Sequence, residues 1–424
     1  MLDTEEQLAR LKQRIAAIDQ RYSGDRSSQE VGTTSRENGR ARAPSQEWPG
    51  SQVISNEFGE HLQAEHLYPQ HQRHGSADIG ALRELPHDLF AAIGAGQIAA
   101  AAPERWAFLD TETTGLAGGS GTYAFLIGVG RITPEGFRVR QFFMREYAEE
   151  RSLLAALNEH LSAFDVLITY NGKSYDQPLL ETRYRMTRSR PPFGSLSHLD
   201  LLYGARRIWK LRLESCRLVE LEQQILGFHR EDDIPGHLIP YLYFEYLRSR
   251  ETWRLMPVFH HNTLDIVTLA CLTAIVPAAF RGADAQSLSR LGIKRGEDLA
   301  GIARWLLAAG EHERALELMK RAVDTALPDA LLFHTLWNIA LLEKKQKRPH
   351  AAIGLFRELA SCPNRYRIDA LEELAKHYEH KEANYDLALQ CTEQALRLEG
   401  SESFARRRAR LLRYLAKPRT KQLL

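Results

Sequence analysis

The pattern of apolar and polar positions divides the chain of 424 residues into successive segments. Residues 1–22 place apolar residues at a helical period among many charges, which predicts one amphipathic helix. Residues 23–80 are rich in Ser, Gly, Gln, Arg and His and poor in apolar residues. Because such a segment buries too little apolar surface to offset its ordering entropy, we predict a disordered linker over 23–80.

Residues 81–280 show a different pattern, in which short apolar runs alternate with helical stretches. Four runs are short, β-branched or aromatic, and bounded by Gly or Asp, which predicts four strands: WAFLD, YAFLIGVGRI, FRVRQFFMRE and DVLITY. The stretch ERSLLAALNEHLSAF predicts a helix before the fourth strand, and further helices are predicted over 176–184, 218–226 and 262–274. This order of elements indicates an α/β domain with a mixed sheet.

Helix–turn–helix patterns fill residues 299–424, after a linker that we predict over 281–298. Ala315, Ala352 and Ala388 occupy equivalent positions of three copies, at intervals of 37 and 36 residues. These intervals are close to the period of about 34 residues of tetratricopeptide repeats. We therefore predict an all-α domain of tetratricopeptide-like helical repeats that ends in a basic tail. An irregular helical bundle is the alternative.

Composition indicates a soluble protein of a reducing compartment. Hydrophobic residues make up 44% and charged residues 26% of the chain, and the net charge of +2 gives no global field that attracts nucleic acid. The four cysteines form no CxxC pair, which argues against a zinc site or a disulfide framework. The N-terminus lacks the apolar core of a signal peptide, and the longest apolar run, 269–280, is shorter than the about 20 residues of a membrane helix. We therefore expect a cytoplasmic protein with no membrane partner.

Two carboxylates at the end of the first of these four strands are the first candidates for chemistry. Asp110 and Glu112 of FLDTETTGL lie two positions apart, so on a strand their side chains point to the same side. Such a pair repels itself unless a cation lies between the two groups, and hard divalent cations prefer oxygen ligands. A solvated strand edge is the alternative.

Two aspartates further along the chain extend this pattern. Asp176 of YNGKSYD begins a predicted helix, where the helix dipole favours a carboxylate, although an N-terminal cap has the same signature. Asp265 of HHNTLD lies early in an apolar helix, where a charge is costly unless it is paired or bound to a metal, although a cap or first-turn acid is again the alternative. His260 and His261 precede this last acid. The four acids in this order are unlikely to occur together by chance.

These motifs resemble those of the DEDD exonucleases of the ribonuclease H-like fold, with FLDTETTGL, YNGKSYD and HHNTLD similar to their first, second and third motifs. The wider sequence is similar to the YprB-like ribonuclease H-like proteins in GGSGTYAFLIGVG, SHLDLLYGARRIWK and EDDIPGHLIPYLYFEYL. The resemblance covers about residues 100–280, and a tetratricopeptide-like tail also occurs in some members of that group. It implies a ribonuclease H-like mixed sheet flanked by helices in residues 81–280, followed by the helical repeats.

The resemblance also implies a metal site. Two Mg²⁺ ions, with Mn²⁺ as a substitute, would be bound by four carboxylates: Asp110, Glu112, Asp176 and Asp265. Such ions hold the attacking water and the leaving 3′ oxygen of an in-line displacement at phosphorus.

A histidine near these acids would accept the proton of the attacking water, because its pKa lies near working pH. The family carries either a His five residues before the last Asp or a Tyr four before it. His260 is five residues before Asp265 and His261 is four before it. If the helix includes His261, that residue shares a face with Asp265; if Asn262 caps the helix, either histidine could reach the site. The YprB-like pattern HN-x-x-D favours His261, and both residues stay candidates.

Substrate contacts are expected near the motifs and in basic clusters. Residues that follow the first acid pair contact the terminal nucleotide in the wider family, and the second motif adds an amide and a lysine. The clusters RYRMTRSR and GARRIWKLR interleave basic and aromatic residues, which suits a single strand, although a solvated helix face is the alternative. The candidates are Thr113, Gly115, Asn171, Lys173, Arg183 and Arg206. Asp200 of SHLDLL is expected to support the site.

The sequence therefore predicts a metal-dependent nuclease, a 3′–5′ exonuclease that acts on DNA or RNA that is single-stranded or has a 3′ end. The helical repeats would dock a partner protein or brace the catalytic domain. One alternative is a catalytically inactive ribonuclease H-like scaffold that acts through its repeats. Another is a structure-selective endonuclease that uses the same chemistry.

Overall fold

The computed structural model describes residues 50–93, 98, 100–115, 121–231, 233–282 and 284–416. The predicted helix over 1–22, the first part of the predicted linker and the end of the basic tail lie outside the described residues.

A seven-stranded mixed sheet organises the first domain. Its strands are β1 (Ser51–Asn56), β2 (Gly59–Pro69), β3 (Trp106–Thr113), β4 (Ala124–Thr133), β5 (Gly136–Phe143), β6 (Val166–Thr169) and β7 (Ser197–Asp200). Their order across the sheet is β1-β2-β5-β4-β3-β6-β7. Neighbours from β1 to β3 pair antiparallel, whereas β3–β6 and β6–β7 pair parallel. The strand that carries the first acid pair therefore lies where the two halves of the sheet meet.

The α-helices cover the sheet and continue beyond it. Those of the first domain are α1 (Glu150–Leu161), α2 (Asp176–Met186), α3 (Leu201–Trp209), α4 (Leu218–Leu221), α5 (Ile239–Ser249) and α6 (Met256–Arg281), and a π-helical turn, Glu222–Leu226, continues α4. The helices that follow are α7 (Ala285–Arg290), α8 (Gly296–Ala308), α9 (His312–Asp324), α10 (Asp329–Lys345), α11 (Pro349–Ser361), α12 (Arg367–His380), α13 (Tyr385–Leu398) and α14 (Glu402–Leu415).

The predicted α/β domain with a mixed sheet is confirmed, and the strands form for the expected reason. Trp106 and Phe108 of β3 belong to the hydrophobic core on one face of the sheet, whereas Ala107 and Leu109 belong to the core on the other face. Because both faces are covered, the strand is apolar at successive positions rather than at alternate ones.

The prediction of a disordered linker is wrong for residues 51–80, because β1 and β2 extend the sheet there. β2 pairs antiparallel with β5 from Leu62 to Pro69. Its polar composition suggested disorder, but those polar groups are paired: His61 is fully buried, and its ring nitrogens lie 2.8 Å from Ser152 Oγ and 2.8 Å from Gln63 Nε2. Polar side chains that satisfy one another can thus occupy a sheet whose sequence lacks an apolar stripe.

The predicted linker over 281–298 is also wrong. The short helix α7 lies within it, and Leu288 and Ile293 are buried in the core that the sheet shares with the next helices. Helix α8 packs directly on the end of α3 at Gly301, where an added Cβ would lie 2.5 Å from the carbonyl oxygens of Arg207 and Ile208. The first helices of the C-terminal region are therefore continuous with the first domain.

The C-terminal region is all-helical, and each helix from α8 to α14 packs on the next one in sequence. The three predicted helix–turn–helix copies correspond to the pairs α8–α9, α10–α11 and α12–α13.

One helix of the described chain is long and apolar enough to cross a membrane. It runs over Thr252–Arg281 and includes α6. However, 78% of its most apolar window is buried inside the protein. This is the behaviour of the central helix of a soluble domain.

Candidate active site

The four predicted carboxylates come from three elements that meet near the carboxyl ends of the parallel strands β3 and β6. Asp110 and Glu112 lie on β3, and Asp176 begins α2, which follows the parallel strand β6. Asp265 lies on α6, which packs across β3 and β4. Chain order and strand direction thus place acids that are far apart in sequence beside one another.

Two glycines of β4 permit the close approach of α6. A Cβ on Gly128 would lie 2.2 Å from Ile266 Cδ1 and 2.3 Å from Asn262 Oδ1. A Cβ on Gly130 would lie 2.5 Å from Ile266 Cγ2. Because these two glycines have no side chain, α6, which carries Asp265, can lie close to β4.

Burial, with added repulsion from neighbouring acids, raises the pKa of three of these carboxyl groups. Burial, followed by the charges of Asp265 and Asp176, raises the pKa of Asp110 well above its ordinary value. Burial and the neighbouring Asp110 do the same to the pKa of Glu112. Burial also raises the pKa of Asp176 to about 6, although Thr111 Oγ1 donates a hydrogen bond of 2.5 Å to its carboxylate. The cluster carries more negative charge than its surroundings compensate.

The donor chemistry of this cluster fits a hard divalent cation, because it offers carboxylate oxygens whose repulsion a cation would relieve. Among the described residues, no three His, Cys, Asp or Glu side chains are already gathered as a ligand group. Besides Asp176, which accepts the hydrogen bond from Thr111, two more of the acids are hydrogen-bonded to protein groups. Asn262 Nδ2 lies 2.9 Å from Asp110 Oδ2, and Arg230 Nη2 lies 2.5 Å from Asp265 Oδ1.

The two candidate histidines differ in their surroundings. Both lie within α6, which begins at Met256, so Asn262 does not cap the helix. His261 is buried, with Nδ1 2.7 Å from Asp233 Oδ1 and Nε2 3.7 Å from Asp265 Oδ2. Burial lowers the pKa of His261, but Asp265 and Asp233 outweigh it and raise that pKa overall. His260 is exposed, and burial of part of its ring lowers its pKa.

The sequence analysis did not identify Arg230, a buried arginine that pairs with the acids of this site. Its side chain is 2% exposed and forms ion pairs with Asp265 (2.5 Å), Asp233 (3.1 Å) and Glu222 (2.5 Å). Arg230 immediately precedes the EDDIPGHLIP motif, to which no role was given, and Asp233 lies inside it. The available signal was a basic residue beside an acidic run in a segment without helical or strand periodicity.

Asp200 supports the second motif, as expected. Its carboxylate accepts hydrogen bonds from the backbone N–H groups of Asn171 (2.8 Å) and Lys173 (3.1 Å), and also caps α3 at Leu202 (3.1 Å). Asn171 has a φ of 68°, in the left-handed region. The buried carboxylate thus holds the turn that leads into Asp176.

A groove of about 690 Å³ opens beside the acids. Asp110 and Asp265 line it together with basic residues of α3 and the loop that follows. We call this the carboxylate groove and define it by Asp110, Asn171, Arg206, Lys210, Arg217 and Asp265. Arg206 and Arg217 are exposed, and neither forms an ion pair with another residue of the described chain. Their charges are therefore not taken up by an ion pair within the described residues, although the acid Glu214 also lines the groove.

The other predicted substrate residues occupy different places. Thr113 Oγ1 donates a hydrogen bond of 2.8 Å to the Gly115 carbonyl at the end of β3. Lys173 is exposed and lines a second cavity, of about 420 Å³, beside Asp200. Both positions adjoin the acids in sequence but lie outside the carboxylate groove.

The prediction that Arg183 contacts the substrate is contradicted by its position. Its guanidinium is buried in an ion pair with Glu150 of α1 (2.5 Å) and lies over the ring of Tyr123 (3.7 Å). The other arginines of this basic cluster, Arg185, Arg188 and Arg190, are exposed to solvent. The side chain of Arg183 instead joins α2 to α1.

The sequence of this chain is similar to those of known proteins. Residues 107–276 match the model of the RNase_H superfamily, a range that begins in β3, ends in α6 and includes all four acids. The chain is also similar to the uncharacterized protein YprB of Bacillus subtilis (strain 168), with 35% identity over 293 residues, which are 68% of this chain and 68% of that protein. This chain therefore belongs to the YprB-like family of ribonuclease H-like proteins.

Proposed function

We propose that the protein is a metal-dependent nuclease that hydrolyses phosphodiester bonds of DNA or RNA as a 3′–5′ exonuclease. The observation that carries this proposal is that β3, α2 and α6 bring four acids together, and that two of them, Asp110 and Asp265, line a groove that three basic side chains also line. Acids of raised pKa suit divalent cations, and an adjacent basic wall suits the phosphates of a nucleic acid.

The four acids Asp110, Glu112, Asp176 and Asp265 would be the metal ligands. Two Mg²⁺ ions, or Mn²⁺ in their place, would supply a clamp for the attacking and leaving oxygens of the displacement. His261 is the proposed general base, because its Nδ1 is engaged by Asp233 and its Nε2 faces Asp265. His260 is exposed and has no such partner among the described residues, so we give it no proton-transfer role.

Basic residues of the carboxylate groove would bind the substrate backbone. Arg206, Lys210 and Arg217 line the groove together with Asp110 and Asp265, so a single strand that enters it would bring its phosphates to these basic groups and to the acids that would hold the ions. Thr113, Gly115, Asn171 and Lys173 are kept as proposed contacts of the terminal nucleotide, since they adjoin the ligand acids in sequence. Arg183 is not part of this proposal.

The C-terminal helices are proposed as tetratricopeptide-like repeats that dock a protein partner. We also propose a cytoplasmic location, as the sequence indicates.

The test is cleavage of end-labelled single-stranded DNA and RNA oligonucleotides in Mg²⁺, Mn²⁺ or EDTA. We expect a metal-dependent ladder from the 3′ end with the wild type and none with Asp110→Ala. Asp165→Ala is the matched control, because Asp165 is exposed and pairs with Arg105 outside the groove. Absence of cleavage with every metal would favour the inactive scaffold. Internal cuts would favour the endonuclease, and equal activity of wild type and Asp110→Ala would refute the metal site.

A further inference from the structure

We propose that Arg230 and Asp233 form a brace that positions both the general base and the fourth metal ligand. The inference rests on the proposed function, because a positioning role has meaning only beside a reacting centre. Neither residue is assigned to substrate or metal contact. Their effect would act through His261 and Asp265.

Asp233 fixes the tautomer of His261. An ionised carboxylate can only accept hydrogen bonds, and Asp233 Oδ1 lies 2.7 Å from His261 Nδ1. The ring proton of the neutral imidazole therefore resides on Nδ1. Nε2 keeps its lone pair and lies 3.7 Å from Asp265 Oδ2, on the side where the ions and the attacking water would be. The base is thus oriented before substrate arrives.

Arg230 joins this pair to the fourth acid. Its Nη1 lies 3.1 Å from Asp233 Oδ2, and its Nη2 lies 2.5 Å from Asp265 Oδ1. A planar guanidinium fixes the relative position of two carboxylates better than a lysine ammonium, which is a point charge on a flexible stem. Because Oδ1 of Asp265 is engaged, its Oδ2 is the oxygen left for a cation.

The brace is anchored in the core rather than at the surface. Arg230 Nε lies 2.5 Å from Oε2 of Glu222, which is fully buried in the π-helical turn. Glu222 Oε1 lies 3.0 Å from His74 Nε2 and also accepts a hydrogen bond from Thr268, three residues after Asp265 on α6. The network therefore links Arg230 and Asp233 to α6, the helix that carries both His261 and Asp265.

The first test replaces Asp233 by asparagine, which keeps the shape and removes the charge. We expect kcat to fall about 10- to 100-fold, the usual effect of losing a group that orients a ligand or base, with KM within about twofold of the wild type. Asp233→Glu should recover part of the rate. Asp165→Asn, at an exposed acid outside the site, should leave both constants unchanged.

The second readout needs no activity. Nitrogen NMR of histidine-labelled, metal-free protein at about pH 9 reports which ring nitrogen carries the proton, with His261→Gln used to assign the signal. We expect the Nδ1–H form in the wild type and a mixture in Asp233→Asn. An unchanged tautomer in Asp233→Asn would overturn the inference. If the wild type cleaves nothing, the proposed function fails while this NMR comparison still decides the brace.

Arg230→Lys tests the second arm. The substitution keeps the positive charge and removes only the planar array of guanidinium donors. A change in metal binding would therefore report the position of Asp265 rather than a change in the charge beside it. We expect about 10- to 100-fold weaker Mn²⁺ binding by calorimetry. Unchanged Mn²⁺ affinity in a folded Arg230→Lys protein would overturn the role of Arg230. If this variant does not fold, Asp233→Asn alone carries the test.

Discussion

Asn262 donates a hydrogen bond of 2.9 Å from Nδ2 to Oδ2 of Asp110, and so ties α6 to β3. The amide itself is oriented, because Gln141 Nε2 of β5 donates a hydrogen bond of 2.8 Å to its oxygen. Asn262 is fully buried, so water does not compete for these bonds. The position of the first acid therefore depends on how closely the helix approaches the sheet.

Gly128→Ala should disturb this approach. The added Cβ would overlap the side chains of Asn262 and Ile266, at 2.3 and 2.2 Å, so these buried side chains, or the helix that carries them, must shift. We expect a loss of about 1–3 kcal/mol in the free energy of unfolding, as for other overpacked cores. Nuclease activity should fall as well, because Asp110 and Asp265 would move apart. Urea unfolding and oligonucleotide cleavage measure the two effects.

Gly194→Ala is the control for this change, because a Cβ there meets nothing within 4 Å. It should change neither stability nor activity appreciably. Equal behaviour of the two variants would contradict the role given to Gly128.

Asp176→Asn should stabilise the metal-free protein at neutral pH while abolishing cleavage. Burial raises the pKa of Asp176 to about 6, so at pH 7.5 its carboxylate is ionised at a cost to the folded state. A neutral amide removes that cost, which is of the order of 1–3 kcal/mol at about 1.4 kcal/mol per pKa unit. Denaturant unfolding in EDTA measures the gain, and cleavage in Mg²⁺ measures the loss.

Asp165→Asn should show the opposite sign. Its pairing with Arg105 lowers the pKa of Asp165, so ionisation there favours the folded state slightly. A stabilising effect in both variants would mean that the gain has nothing to do with the acid cluster.

Mg²⁺ should raise the melting temperature more at about pH 7.5 than at about pH 5. The folded-state pKa of Asp176 is above its unfolded value, so its contribution to stability is complete at low pH and is lost as pH rises through about 6. The pKa values of Asp110 and Glu112 are raised in the same direction. At low pH, protonation relieves the repulsion among these carboxylates. At pH 7.5 they are ionised to a greater extent, so a bound cation has more repulsion to relieve.

Thermal melts with millimolar MgCl₂, against NaCl of equal ionic strength, check this expectation. A Mg²⁺ effect that is equal at both pH values would show that the ion does not act on these carboxylates.

Arg206→Gln and Arg217→Gln should each raise KM and leave kcat nearly unchanged. Each removes one charge from the basic side of the carboxylate groove. The slope of log affinity against log salt should fall by about 0.7 per residue, the value for contacts with a single strand. Fluorescence anisotropy with a labelled oligonucleotide at several salt concentrations measures the slope.

Arg248→Gln is the matched control, since Arg248 is 75% exposed and pairs with Glu245 on α5. If its slope falls as much as those of the groove variants, the basic wall is not the binding surface.

The sequence was sufficient to predict the strands and helices that carry the acids, because these elements have clear periods. It was insufficient for β2, because the buried positions of that strand include His61 and Gln63, which satisfy each other through hydrogen bonds. A pattern based on apolar residues does not register such a strand. The order of the acids along the chain was enough to group them.

Charged residues were harder to place, because charge alone does not give the direction of a side chain. Arg183 lies in a basic run like its exposed neighbours, yet it points inward to Glu150. Arg230 lies in an irregular segment, and its partner Asp265 is 35 positions away. Its role depends on a tertiary contact that no local period signals.

The hydrophobic core on the face of the sheet that contains Trp106 and Phe108 does not stop where the C-terminal helices begin. It extends to Ile339 and Leu342 of α10, while a separate core begins at Ala340 of the same helix and runs to Leu411 of α14. Segments that share a core tend to unfold together. On heating, the ribonuclease H-like domain should therefore unfold as one cooperative unit with α8 and α9. The helices from α11 to α14 can unfold as a second unit. The boundary between the two cooperative units therefore lies within α10, because different residues of this helix belong to the two cores.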